Sequence, residues 1–589
     1  MSQSKARRGD SLFSLEQLES RRLLSVSQDD NGFTIVSPSP DTRKIYVSSS
    51  IGNDNNLGLL PVSPVKTIAK GKSLLRDGMP DWLLLRRGDT FQESLGQWVK
   101  SGRSADEPML VSAYGQGNRP LLETGSNNGI FTQNEAINSL AIIGLSFHAT
   151  SPSAYGVFWL SPTSSLLIED SSFDDFGDGM VLEGNGIRNN VTIRRDVITD
   201  SSGLGIYTDQ LNNLLIEENV LDHNGWNATY GSVPTVRKHG IYIKETCTNV
   251  IVRGNIIANS SSHGLQARSG GIVENNLFLN NPIGMSFGYV NGSPITPGGV
   301  SGRISGNVFL GSRDISGSPR GWAMEISNTK PGGGTLISNN IIAHDTQQTP
   351  NTAAIWLSYG SDVTNVAQAV GINDLTIEKN IVYDWYSALG LNAGLVPGGV
   401  GATALNGLSI RNNEFSQMIS SLIVEHDSPF GPLAESWQGN TYSDDSNPAG
   451  WFSLQSISTS LATWMSRVDP MASSLAPGYA DPSRNMARYN ASLGGIASDD
   501  AFITQARLQS RSNWRPAYTA RAAINYIRAG FYRAGDVNID GSVTISDYIT
   551  LAAHFGEAGQ DWSTGDFNGD GVVTISDLLD LVSNFNVLS

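Results

Sequence analysis

Between residues 139 and 415, short runs of strictly alternating apolar and polar residues recur, each closing on Asn and then continuing with more apolar residues. Leu214-Leu-Ile-Glu-Glu-Asn-Val-Leu221, Val250-Ile-Val-Arg-Gly-Asn-Ile-Ile257 and Leu375-Thr-Ile-Glu-Lys-Asn-Ile-Val382 are three such copies. A period of two residues, rich in Val and Ile, predicts strands, because side chains alternate across a strand and branched ones pack well there. The closing Asn recurs at Asn219, Asn255, Asn276, Asn307, Asn340, Asn380 and Asn413, with Leu145, Ser171 and Asp196 in its place in three earlier copies. Successive markers are 26, 25, 23, 36, 21, 31, 33, 40 and 33 residues apart, and the shortest spacings leave no room for two helices.

Each copy is therefore predicted to be one coil of a right-handed parallel β-helix, an all-β solenoid over residues 41–440 whose longer spacings are insertions. Asn suits the coil corner because it tolerates left-handed backbone geometry and its amide reaches the next coil's Asn at about 4.8 Å. A second strand of successive coils begins with Gly: Gly179-Met-Val-Leu-Glu183, Gly205-Ile-Tyr-Thr-Asp209, Gly240-Ile-Tyr-Ile-Lys244, Gly264-Leu-Gln-Ala-Arg268 and Gly284-Met-Ser-Phe-Gly288. Alternation turns Met180, Ile206, Ile241, Leu265 and Met285 inward. Two outward rows remain: Val181, Tyr207, Tyr242, Gln266 and Ser286, and beside them Glu183, Asp209, Lys244, Arg268 and Gly288.

That acid, acid, base, base column flanked by tyrosines suits a groove for an acidic sugar chain. Arg268 can hold a carboxylate bidentately. Lys244 is the candidate base, since burial under a substrate favours the neutral, proton-accepting amine. Glu183 and Asp209 offer oxygens to a calcium ion, while Tyr207, Tyr242 and Gln266 line the substrate path. The competing reading is a solvated face on which unlike charges of adjacent strands pair.

Lys244-Glu-Thr-Cys-Thr-Asn-Val-Ile-Val-Arg-Gly-Asn255 followed by Gly264-Leu-Gln-Ala-Arg268 is similar to the Lys and Arg coils of alginate lyases and chondroitinase B. That resemblance implies β-elimination with Lys244 as base and Arg268 assisting as acid. The same stretch resembles inverting polygalacturonases, with Lys238-His239-Gly240 near their Gly-His-Gly, which implies a catalytic role for His239. Inverting hydrolysis needs two carboxyl groups about 6.5–9.5 Å apart, and Asp175 and Asp178 are the candidates. His239 and His263 both precede a strand glycine and are expected to meet at the corner. Lys44 to Asp54, Arg87 to Phe91 and Ser112 to Gly115 look like the N-terminal cap of secreted β-helix polysaccharide enzymes.

Residues 441–534 break the repeat and read as an irregular and helical cap and linker, with Trp437, Trp451, Trp464 and Trp514 expected over the open end of the solenoid. Beyond Gly535 two twelve-residue loops lie thirty residues apart, Asp536 to Asp547 and Asp566 to Asp577. Asp536, Asn538 and Asp540, and likewise Asp566, Asn568 and Asp570, supply oxygens at loop positions 1, 3 and 5. Position 6 is Gly, and Ser542 and Val572 stand at position 7, where the backbone carbonyl is the ligand. Asp547 and Asp577 close the loops, and short helices are expected at 548–555 and 578–585 with none just before the first loop. The arrangement resembles type I dockerin, which implies a small C-terminal α-helical domain over 535–589 that takes two calcium ions and docks onto a cohesin domain. That segment holds nine acids and no Lys or Arg.

Across all 589 residues, 55 acids against 39 Lys and Arg give a net charge of −16, so binding nucleic acid would require a local basic patch. Cys247 stands alone, which excludes an intramolecular disulfide framework and Cys-based zinc sites. No run approaches eighteen consecutive apolar residues, so no membrane-inserting helix is predicted. Residues 1–40 lack the apolar core of a secretory signal. Phe13 to Ser25 resembles the Leu-Glu-Pro-Arg-x-Leu-Leu segment at the start of many large exported bacterial proteins, with Ser20 in place of Pro; the other reading is an amphipathic helix in a disordered tail. Together these features predict an extracellular or cell-surface carbohydrate-active protein acting on a polysaccharide. A lyase stands ahead of a glycoside hydrolase, and a non-catalytic glycan-binding or adhesion protein is the rival from another class.

Overall fold

The computed structural model describes residues 26–585 except 289–293, 316–317, 347–351, 359–369, 393–404, 540–541, 559, 561 and 569–570. Three long sheets run the length of the solenoid. The first has 14 strands from Lys44–Val47 to Glu435–Gln438, the second 13 from Thr90–Phe91 to Thr441–Ser443, and the third 14 from Gly96–Gln97 to Ile457–Thr459. Neighbouring strands within each sheet come from successive coils and pair in parallel, apart from a closing antiparallel hairpin, Phe452–Leu454 with Ile457–Thr459. This is the predicted parallel β-helix.

The alternation seen in the sequence becomes stacking in the core. Ile168, Ile193, Ile216, Val252, Val273 and Ile304 lie one above another on the inner face of the first sheet, all fully buried. Cys247 is buried in the same core. At the corner, both the backbone N–H and the side-chain amide of Asn276 donate to Asn307 Oδ1, at 3.0 and 2.9 Å, and the pattern repeats from Asn219 through Asn413. It then runs one coil further to Asn440 and ends on Asp469. The left-handed residue is not the ladder Asn, as its tolerance for that geometry suggested, but the residue before it: Glu218 (φ 54°), Asn275 (53°), Asn339 (56°), Lys379 (55°) and Asn412 (53°). The Asn is selected for its amide, which feeds two coils at once.

Asp196 takes the Asn position in an earlier coil. It is fully buried, its Oδ1 accepts from Ser171 N at 2.7 Å, and its own N–H donates to Asn219 Oδ1. Burial, the dominant influence, pushes its carboxyl well above the usual range. A carboxyl raised on folding supports the fold below its unfolded value of about 3.9 and loses that support as pH climbs through the folded value. Asp196→Asn is therefore expected to raise the thermal midpoint at pH 8 and change little at pH 4, the gap widening by up to about 1.4 kcal/mol per pH unit between those two values. Equal shifts at both pH values would reject this account.

Residues 26–36, within the segment read as export-associated or disordered, form a hairpin packed on the solenoid; residues 1–25 lie outside the described residues. Thr34 N donates to the buried Glu169 carboxylate, and Arg195 lies 4.3 Å from the Phe33 ring. Trp514 packs here, 5.1 Å from Phe33, rather than over the solenoid end, because the chain doubles back before reaching it. Trp437, Trp451 and Trp464 do close that end, with Trp437 and Trp464 edge to face at 5.1 Å.

The helices Met486–Ser492, Asp499–Ala506 and Ala520–Phe531 return along the outer face of the second sheet. Their apolar sides cover Val220, Ile256, Leu277, Val308 and Ile341, and Arg507 pairs with Asp200 and Asp222. Ala520–Phe531 ends shortly before the first loop, where no helix was expected; it buries Ile524 and Ile527 into a core that continues through Val543, Trp562, Phe567 and Leu581. The module's own helices span Ile545–Ala553 and Ile575–Ser583, starting three residues earlier than the loop pattern suggested. Thr544 with Asp547, and Thr574 with Asp577, form capping boxes that start each helix inside its loop.

Candidate active site on the third sheet

The register of the third sheet aligns Val181, Tyr207, Tyr242, Gln266 and Ser286 on successive strands, and continues to Glu325 and Trp356. The strand-initial glycines make this stacking feasible: a Cβ on Gly205 would fall 2.4 Å from the Gly240 carbonyl oxygen. Tyr207 and Tyr242 stack with ring centroids 5.2 Å apart. Beside them, the backbone N–H groups of Asp209, Lys244 and Arg268 each donate to the preceding coil, so the charged column stands in line.

The charges do not pair across rungs. Lys244 Nζ sits 3.6 Å from Oε1 of its neighbour Glu245, and Asp209 accepts from the Thr246 hydroxyl. Glu183 is raised above the usual carboxyl range by burial and then by the like charge of Asp209. Arg268 turns away from the acids. Its guanidinium lies 4.4 Å from the Tyr242 ring centre, and its Nε donates to Gln266 Oε1 at 3.1 Å. It is only 8% exposed, its Nη1 finds no hydrogen-bond partner, and no carboxylate comes within 4 Å among the described residues. Burial lowers its pKa, partly offset by Tyr242 and Glu245.

The first sheet shows the ordinary arrangement for comparison. There Arg253 meets Glu217 at 2.6 Å, Arg303 meets Glu274 at 2.5 Å and Arg411 meets Glu378 at 2.7 Å, all at the surface. Outward charges thus occur on both faces, and each of these two sheets buries an arginine with no carboxylate within 4 Å among the described residues: Arg188 on the first, whose Nη1 donates to the Gly186 and Asp209 carbonyls, and Arg268 on the third. Burying a cation without a close counter-charge is costly unless a ligand supplies one.

His239 and His263 meet at the corner, edge to face at 5.0 Å, and His239 also stacks on Tyr242 at 5.5 Å. Burial pushes His239 well below the usual imidazole range, helped by His263 and Arg268, so it is neutral; its Nδ1 is unpartnered among the described residues. His263 Nε2 lies 2.9 Å from Glu325 Oε2, a buried carboxylate that sequence reasoning missed. The signal was present, but the next coil has Ala323 where the others have Gly, so an alignment on glycines stopped at Gly284.

Asp175 and Asp178 have separate partners. Asp175 Oδ2 is 3.4 Å from His148 Nε2 on the second sheet, while Asp178 Oδ1 accepts from Leu204 N at 2.5 Å and is raised by burial. His148, Asp174 and Asp175 are the one group of ligand-type side chains gathered closely enough to hold a metal ion among the described residues, and Glu183 and Asp209 are not part of it. In the C-terminal module Asp536, Asp547, Asp566 and Asp577 are buried at 2%, 1%, 0% and 0% exposure, and Gly571 takes φ +88° at the turn. Asp547 Oδ1 accepts from Val537 and Asn538 N–H groups, and Asp577 Oδ1 from those of Phe567 and Asn568, which folds each loop around its carboxylates. Four buried acids on two such loops fit calcium. Asn538, Ser542, Asn568 and Val572 lie on the same loops, whereas Asp540 and Asp570 fall outside the described residues.

Residues 128–301 match the family model of the right handed beta helix region, and residues 534–586 match that of the dockerin type I domain. The chain carries a parallel β-helix and a C-terminal type I dockerin. Dockerins of this type bind calcium and cohesin partners. Solved structures with a similar solenoid include XylC in complex with xylose (10% identity, 75% of this chain and 88% of that chain, TM-score 0.44). Others are the pectate lyase Pel9A (18%, 49% and 78%, 0.35) and the catalytic unit of a GH87 α-1,3-glucanase from Streptomyces thermodiastaticus strain HF3-3 (11%, 71% and 67%, 0.39). No curated relative matches the chain. Among the described residues no helix is long and apolar enough to cross a membrane.

Proposed function

We propose that this chain is an extracellular polysaccharide lyase that cleaves a uronate-containing polymer on the third sheet, with the dockerin tethering it to a cohesin-bearing partner. The observation that carries this reading is Arg268: among the described residues its buried guanidinium has no hydrogen-bond partner at Nη1 and no carboxylate within 4 Å, which makes it a site for an acidic group. Tyr207 and Tyr242 offer stacked rings on which sugar faces can lie. With the substrate carboxylate on Arg268, Lys244 is the base that takes the proton from the carbon beside that carboxylate. The electron pair left behind forms a C=C bond as the glycosidic C–O bond breaks, and the leaving oxygen takes a proton from Arg268, whose acidity burial has increased. Glu183 and Asp209 lie next along the column as oxygens for a groove calcium ion. On the dockerin, Ile545 and Ile549 on one helix and Ile575 and Leu579 on the other stand about equally exposed, a duplicated apolar row suited to a partner surface.

The test is to incubate the protein with alginate, pectate and chondroitin, with calcium and with chelator, and to follow unsaturated uronate by ultraviolet absorbance alongside new reducing ends. Absorbance from one polymer supports the lyase. New reducing ends without absorbance would replace it with a hydrolase, for which His239, Asp175 and Asp178 would be examined. Neither product would leave a non-catalytic glycan-binding or adhesion protein. Chelator-sensitive cleavage would show that an ion takes part, and loss of that sensitivity in Glu183→Gln and Asp209→Asn would assign it to these carboxylates.

A further inference from the structure

Arg268 is held by a chain of hydrogen bonds that begins two coils away. Glu325 Oε2 lies 2.9 Å from His263 Nε2; His263 Nδ1 lies 3.3 Å from Gln266 Nε2; and Gln266 Oε1 accepts from Arg268 Nε at 3.1 Å. All four residues are less than a tenth exposed, so water does not compete for these bonds. The polarity of the chain follows from its Arg268 end: Arg268 Nε can only donate, so it takes the Gln266 oxygen, the Gln266 N–H group faces His263 Nδ1, and the imidazole accepts there and carries its proton on Nε2, toward the Glu325 carboxylate. His263 Nδ1 also accepts, at 3.1 Å, from the Ser262 hydroxyl. Arg268 Nε is thereby engaged, and Nη1 is left without a hydrogen-bond partner among the described residues.

We infer that Glu325 and His263 are positioning residues that select the site for carboxylate-bearing sugars, by fixing which edge of the Arg268 guanidinium faces the ligand. This rests on the anion-site reading of Arg268 given above. The alternative, a purely structural role, predicts that breaking the chain changes stability without changing the preference for acid over ester. Replacing the carboxylate by an amide tests the polarity argument without changing shape. In Glu325→Gln the new amide offers either its oxygen or its N–H2 group to His263 Nε2, so the imidazole is no longer confined to one tautomer and its proton is free to move to Nδ1. Gln266 then flips to accept it and sets its N–H group against Arg268 Nε, two donors facing one another, and the guanidinium is released from its orientation.

The experiment measures, by calorimetric titration, the affinity of full-length wild type, Glu325→Gln and Gln266→Met for trigalacturonate, trimannuronate and the methyl ester of each. Wild type is expected to favour one free acid over its ester by tenfold or more, and both variants to lose most of that ratio, Glu325→Gln while keeping its affinity for the ester. The double variant should lose no more than either single one, since both cut the same chain. A wild type that does not distinguish acid from ester, or binds neither, would overturn the anion-site reading itself. A discriminating wild type whose ratio is unchanged in Glu325→Gln would overturn only the positioning chain. Parallel weakening toward acid and ester would assign Glu325 to stability alone.

Discussion

Lys244→Ala is expected to slow polymer cleavage by about 10²- to 10⁴-fold, the usual contribution of a positioned general base. The loss should fall on kcat more than on KM. Lys244 is only partly covered, its one ion-pair partner is its neighbour Glu245, and no packing of the core depends on it. Arg268→Ala should behave differently, raising KM as well as lowering kcat, because the proposed mechanism uses the guanidinium both to seat the substrate carboxylate and to give a proton to the leaving oxygen. Arg268→Lys should not restore the rate. One guanidinium edge engages Gln266 while another stays free for the ligand, whereas an ammonium is a single point charge that cannot divide itself in this way. Initial rates from the ultraviolet absorbance of the unsaturated product, at several substrate concentrations, separate the two effects. A Lys244→Ala protein with undiminished kcat would remove this residue from the mechanism. If Arg268→Lys recovers wild-type KM, the two-edged geometry has no role.

Removing calcium is expected to unfold the C-terminal module while leaving the solenoid intact. The module's own residues bring nine acids and no basic side chain, and four of those acids are buried at positions 1 and 12 of the two loops. Asp547 accepts two loop N–H groups on one oxygen and Thr544 on the other, and Asp577 does the same with its own loop, so the acids that would face the ions also begin the helices. Each ion is expected to contribute about 4 kcal/mol when free calcium exceeds its Kd a thousandfold. Trp562 reports the change, since it is buried, its Nε1 donates to the Asp536 carbonyl, and its ring packs at 5.0 Å on Phe567. Chelator should red-shift its emission, reduce helical circular dichroism and separate a low-temperature transition from that of the β-helix; Asp577→Ala should do so even with calcium present. Identical melting curves with and without chelator would mean that the protein core alone holds the module.

Much of this molecule is written locally. A β-helix repeats one short decision many times, and each coil meets only its two neighbours, so a two-residue period and a recurring corner residue are enough to place strands and register. That is why Tyr207, Tyr242, Lys244 and Arg268 could be aligned from the glycines before them. The calcium loops are legible for the same reason, because all their ligands come from twelve consecutive residues. Glu325 escaped because its coil has Ala323 in place of the marker glycine, and the Asn ladder was mistaken in one detail because a left-handed residue beside Asn leaves no mark of its own in the alternation.

Contacts between residues far apart in the chain belong to the tertiary structure alone. It carried the helices after residue 486 back along the second sheet, seated the dockerin core against Ile524 and Ile527, and drew Trp514 to Phe33. It also decided that the charges of the outward column do not pair across its rungs and that Arg268 is buried with no carboxylate within 4 Å among the described residues. Periodicity records which way a side chain points relative to its own strand. What lies over that face depends on insertions folded across it, and their destination is set by packing between distant segments, which no local pattern encodes.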